Sequence, residues 1–173
     1  SIAAAFPAQL EVAKDLVADM DTTTNVANIN TFSSPYHCPA EGSMEQLFDG
    51  TYNNANNFWH SNWQNGNDYA YSTTNGTNYF VVEDVDKAIN GGLAVMVARR
   101  PVANDHLTQL TVYGTNDAYS HDDDLANIKA GGEALYTWTE LGVLNTPYGT
   151  GSEFITSNAI EFEGQYQYYK FVA

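Results

Sequence analysis

The side chains able to do chemistry in this chain are mostly aromatic or neutral. There are 12 tyrosines, 8 phenylalanines, 3 tryptophans and 4 histidines, with amide-rich bursts such as NNANN (53–57), NWQNGN (62–67) and STTNGTN (72–78). Cys38 is the only cysteine. An internal disulfide, a multi-cysteine metal site and a CxxC redox pair are therefore excluded, and in SPYHCPAEG, between two prolines, Cys38 reads as an inert thiol. His37, His106 and His121 stand at no helical or strand spacing to one another, which argues against a metal trio. Carboxylates are plentiful but fall in loops and strand ends. No paired acid and base, nucleophile elbow, phosphate loop or zinc signature is present, so the chain reads as a non-enzyme. The acidic run DDD (122–124) reads as a solvated loop.

Charge narrows the partners. Lys and Arg number 6 against 21 Asp and Glu, a formal net charge of -15, although charged residues make up only 16% of the chain. Nucleic-acid and anionic-membrane binders recruit bases, so neutral or weakly charged partners fit better. No apolar run reaches about 18 residues, which argues against membrane insertion. The first residues lack the order of a secretory signal, so the chain reads as a mature, soluble piece.

The elements that would position these residues are short strands. With 173 residues and 43% hydrophobic content, one domain with a true core is expected. Alternation marks YFVVEDV (79–85), LAVMVAR (93–99), LTVYGTND (110–117), NAIEFEG (158–164) and YYKFVA (168–173) as strands. In LAVMVAR, Leu93, Val95 and Val97 share one face. Strands at this spacing, joined by Gly/Asn-rich loops, predict an all-β antiparallel sandwich. Before them, Leu10, Ala13, Leu16, Val17 and Met20 recur at helical spacing after Pro7, predicting a short N-terminal helix or a linker to a preceding module. Trp59 and Trp138 read as core residues between the sheets.

The stretch EGSMEQLFDGTYNNANNFWHSNW (41–63) resembles the start of a discoidin, or F5/8 type C, domain, whose bacterial relatives form carbohydrate-binding module family 32. YFVVEDV, AVMVARRPVAND, LTVYGTND, YTWTELG and YQYYKFV continue the resemblance in order. The resemblance implies a galactose-binding-like jelly roll over residues 26–173; residues 1–25 match nothing in it and stay, on their periodicity, an N-terminal helix or linker. Three departures stand out. Glu83-Asp84-Val85-Asp86 replaces the family's Asp-Leu-Gly, residues 121–134 lengthen one connection, and the family's last strand is absent.

The resemblance also implies a sugar site at the loops of one end of the sandwich. Flat rings cover the apolar face of a pyranose while fixed donors pair with its hydroxyls. The residues it points to are His60 and Trp63 of WHSNW, Arg99 or Arg100, and Asn104 or Asn116. It further implies a structural calcium at Asp49, with Asn57 standing where the family has Thr. The expected function is a non-catalytic module binding a neutral glycan, secreted or displayed on a bacterial surface beside other modules of a parent protein. The alternative is a protein-interaction or adhesion module of the same fold, using the loop end or a sheet edge left by the absent strand.

Overall fold

The computed structural model describes residues 2–4, 28–35, 37, 44–48, 59, 78–98, 107–146 and 154–173. They form β1 (Ile2–Ala4), β2 (Ile29–Ser33), β3 (Tyr79–Asp84), β4 (Gly92–Ala98), β5 (Gln109–Thr115), β6 (Thr139–Asn145), β7 (Phe154–Thr156), β8 (Ile160–Glu161) and β9 (Tyr168–Val172). A 3-10 turn at Met44–Gln46 and one helix, α1 (His121–Lys129), complete the described elements. The strand pairings are all antiparallel, as the alternating sequence requires, and neither sheet closes into a barrel.

One sheet runs β2-β3-β9-β5-β6. In the other, β4 pairs with β1, β7 and β8. The amphipathic stretch 8–20 lies outside the described residues, but Ile2–Ala4 ahead of it belongs to the sandwich, in register with Leu93, Ala94 and Val95. The chain's last strand, β9, sits in the middle of its sheet between β3 and β5. Among the described residues the edges of that sheet are β2 and β6, so no edge opens beside β9.

Period-two alternation builds the core. Phe80 and Val82 of β3, Leu93 and Val95 of β4, Leu110 and Val112 of β5, Leu144 of β6, and Tyr169 and Phe171 of β9 meet in one buried cluster that draws on both sheets. Val97 packs against it, so the shared face expected of Leu93, Val95 and Val97 is the core face. Phe80 and Phe171 are cross-strand partners with stacked rings 4.8 Å apart. Two glycines permit this packing. A Cβ on Gly114 would lie 2.6 Å from the ring of Tyr166. Gly142, with φ +151°, adjoins a bulge where the β5–β6 register shifts, and its Cβ would meet Ile160 at 2.9 Å.

β3 is buried on both faces, which explains why its sequence runs Tyr-Phe-Val-Val without a polar break. Its outer face carries Tyr79 and Val81, covered by Tyr119, with Phe32, Ile128, Tyr136, Trp138, Tyr168 and Val172 packed around them. Two expectations change here. Trp138 belongs to this outer aromatic cluster and not to the space between the sheets, because Thr139 opens β6 across from Gly114 and Trp138 precedes that pairing. The acidic run is not a solvated loop: it is the first turn of α1. Ser120 caps the helix by accepting from the Asp123 amide at 3.3 Å, and acids in a first turn complement the helix dipole.

Asp124, the third of these acids, faces the sheet. Its carboxylate accepts from the hydroxyls of Tyr79 at 2.6 Å and Tyr119 at 2.8 Å. Burial and these contacts raise the pKa of Tyr119, which stays a neutral donor. His121 stacks on Phe32 at 5.0 Å, and its Nδ1 lies 3.4 Å from the Tyr119 hydroxyl. Burial lowers the pKa of His121, against the opposing fields of Asp124 and Asp122.

Candidate functional site

Trp59 fixes where the candidate site begins. Its indole N–H donates to Ser33 Oγ at 2.9 Å, and its ring meets Phe80 edge-on at 5.5 Å. Packing against the inter-sheet core, it takes the role expected of it. Ser33 ends β2 directly across from Phe80 at the start of β3. Around them, the Ser34 amide donates to the Tyr79 carbonyl at 2.9 Å and the Ala173 amide donates to the Asn78 carbonyl at 3.0 Å. Trp59 is thus pinned at the end of the five-stranded sheet where β2 and β9 finish and β3 starts.

Register places two further strand ends there, those of β5 and β6. Val172, near the end of β9, has Tyr79 on one side and Thr111 of β5 on the other. Gln109, the first residue of β5, faces Asn145, the last of β6. Thr146 ties this corner by donating its hydroxyl to the Leu107 carbonyl at 2.9 Å. Consequently segment 60–77, which runs from Trp59 into β3, and segment 99–106, which runs into β5, attach at one and the same end. Segment 147–153, leaving β6, attaches there as well.

His60 and Trp63 lie on the first of these segments, and Arg99, Arg100 and Asn104 on the second; all five are outside the described residues, as are Asp49 and Asn57. Asn116 is described, and it sits at the opposite end. It follows Thr115, which faces Tyr168 at the start of β9. Its amide nitrogen donates to the Gln165 carbonyl at 3.0 Å, and its oxygen accepts from the Gln167 amide at 2.8 Å. Both ends of the carboxamide are spent on the connection into β9, so Asn116 positions that loop, at the end opposite the one where segments 60–77 and 99–106 attach.

The far end also holds a residue that the sequence reading noted only as a departure. Asp84 is fully buried, and its carboxylate accepts from the amides of Ala88 at 3.1 Å and Ile89 at 2.8 Å. The Asp84 carbonyl accepts from the Lys87 amide at 3.0 Å, within a turn where Lys87 takes φ 49°. A buried carboxylate with two backbone donors organises a turn and leaves no lone pair aimed at solvent. Of the histidines, His37 is buried, with its amide donating to the Ser34 carbonyl at 3.2 Å, and His106 lies outside the described residues. Among the described residues, no three His, Cys, Asp or Glu side chains gather as a metal site.

No protein-family model, curated protein or solved structure matches this chain. No helix among the described residues is long and apolar enough to cross a membrane. The all-β sandwich therefore stands on its own geometry.

Proposed function

We propose that this chain is a non-catalytic carbohydrate-binding module that takes a neutral glycan on the loops at one end of its sandwich. The observation that carries the reading is the shared end: the segments bearing His60 and Trp63, and Arg99, Arg100 and Asn104, lead into β3 and β5 at the same end of the five-stranded sheet, on either side of β9. Rings and fixed donors converging from neighbouring loops are what a pyranose needs. The charge of -15 favours an uncharged ligand. The proposal includes a calcium ion at Asp49 and Asn57 as a loop staple, and a secreted or surface-displayed bacterial protein whose other modules act on the glycan.

The test is a glycan-array screen followed by calorimetric titration of a hit, with calcium and with chelator. Trp63→Ala and His60→Ala are each expected to lower affinity about tenfold or more, with melting nearly unchanged. Asn116→Ala is expected to leave affinity intact. Unchanged binding in both loop variants overturns the assignment of the site.

A second reading has one observation in its favour. A groove of about 490 Å³ lies beside β2, whose outer edge no strand among the described residues pairs, and is lined by Ile29, Asn30, Phe32, Met44, Glu45 and Phe48 among others. An open strand edge beside apolar side chains is the setting for a protein-interaction or adhesion module. A silent array from folded protein would favour it.

A further inference from the structure

The outer face of the five-stranded sheet divides in two. Over β2 and β3 it is sealed by α1 and the tyrosines bound to Asp124. Toward β5 and β6 it presents Tyr113, Trp138 and Lys170, each only partly buried. The Lys170 ammonium lies 4.8 Å from the ring centre of Trp138, 5.2 Å from Tyr79 and 5.7 Å from Tyr113. These are cation–π distances, and they hold the charge in place against three rings.

What the ammonium lacks among the described residues is an acceptor. Among the described residues no carboxylate pairs with it and no oxygen accepts a hydrogen bond from it. Asp124, whose field reaches it, is already bonded to two tyrosine hydroxyls. Glu140, across from Tyr113, is exposed to solvent. Burial lowers the pKa of Lys170, and its ammonium, held by the three rings on one side, keeps N–H donors that no described residue accepts. Beside it the surface stays apolar, with Val143 40% exposed across from Thr111.

We propose that Trp138, Tyr113 and Lys170 form a second binding surface, on the sheet face and away from the loop end, for a sugar ring that carries one carboxylate, a uronic acid. The carboxylate accepts from the ammonium, the strongest hydrogen bond this surface offers. The C–H face of the same ring lies on the exposed parts of Trp138 and Tyr113. The overall charge restricts the ligand further. At -15 the protein repels polyanions, so the preferred ligand is an isolated uronate among neutral sugars. The surface stands on these side chains alone and is independent of the loop-end site.

The experiment is an NMR titration of the whole chain that follows the Trp138 indole N–H and the Lys170 ε-methylene. Three probes are compared: a disaccharide of glucuronate and glucose, the matching disaccharide of two glucoses, and acetate. The uronate disaccharide is expected to shift both signals and to bind about tenfold or more tighter than either other probe. Lys170→Met, which keeps the aliphatic stem between the rings, is expected to reduce uronate binding to the level of the neutral disaccharide. Trp63→Ala is expected to leave uronate binding unchanged, which separates this surface from the loop-end site. Absence of shifts at Lys170 and Trp138 with uronate overturns the proposal, and this readout needs no variant. Equal binding of the glucose disaccharide, or of acetate, overturns it too, since the first removes the role of the carboxylate and the second that of the rings.

Discussion

Asp84 is a carboxylate with no solvent exposure, tolerated because the chain turns back on it. Two backbone amides point at its oxygens, and the following residues use it to leave β3 and enter β4. Removing the side chain strands the Ala88 and Ile89 amides, and Ile89 is itself fully buried. Asp84→Ala is therefore expected to destabilise the fold by about 3 kcal/mol, and Asp84→Asn, which keeps one acceptor oxygen, by roughly half that. Urea unfolding with an unchanged slope is the check; a loss under about 1 kcal/mol for alanine would show that water satisfies those amides. The sequence shows an Asp placed to start a turn, which is legible from residue type. Its burial is not, because the strand ends there against Gln167, whose carbonyl accepts from the Asp84 amide at 2.8 Å and joins it to the entry of β9. For the same reason Asn116 looked available in the sequence: its partners Gln165 and Gln167 lie far along the chain.

At the scale of elements, strong alternation was readable and weak alternation was not. The stretches 79–85, 93–99, 110–117 and 168–173 coincide with β3, β4, β5 and β9 to within a residue or two. β2, sequence INTFS, escaped because only its pairing with β3 makes it a strand. NAIEFEG yields just Ile160–Glu161, since Asn158 turns aside to bind β6, accepting from the Asn145 amide and donating to the Val143 carbonyl. α1 carried its own signal in Ser120, three acids and a closing Lys129, and the acidic run masked it. No residue of α1 is fully buried, so its docking rests on few contacts, of which the two tyrosine bonds to Asp124 are the strongest. Asp124→Ala is expected to leave both hydroxyls without their acceptor and to destabilise by about 2 kcal/mol. Hydrogen exchange locates the effect: amides of α1 should exchange faster while those of β5 and β9 hold their protection. Uniform loss of protection would mean that α1 is integral to the core.

For the whole molecule, strand parity governs what can meet. Successive strands of an antiparallel sandwich reverse direction, so connections alternate between its ends. The connection before β3, that between β4 and β5, and that leaving β6 fall at one end; those after β3 and after β5 fall at the other. Counting strands alone thus separates Asn116 from the segments of His60 and Arg99, an inference open to the sequence once its strands are known. Charge acts at the same scale. With 21 acids against 6 bases the folded surface repels itself, and compaction brings those carboxylates closer than an expanded chain does. Screening should relieve this: raising NaCl from about 0.02 to 0.3 M shortens the reach of each charge severalfold, and the melting temperature is expected to climb by a few degrees. The neutral glycan proposed for the loop end would feel none of that field, so its affinity should stay level across the same salt series. Melting that is flat or falling with salt would mean that local pairing already cancels the repulsion. Glycan affinity that tracks the salt would instead mean that the ligand itself carries charge, and Arg99 and Arg100 are the first residues to substitute in that event.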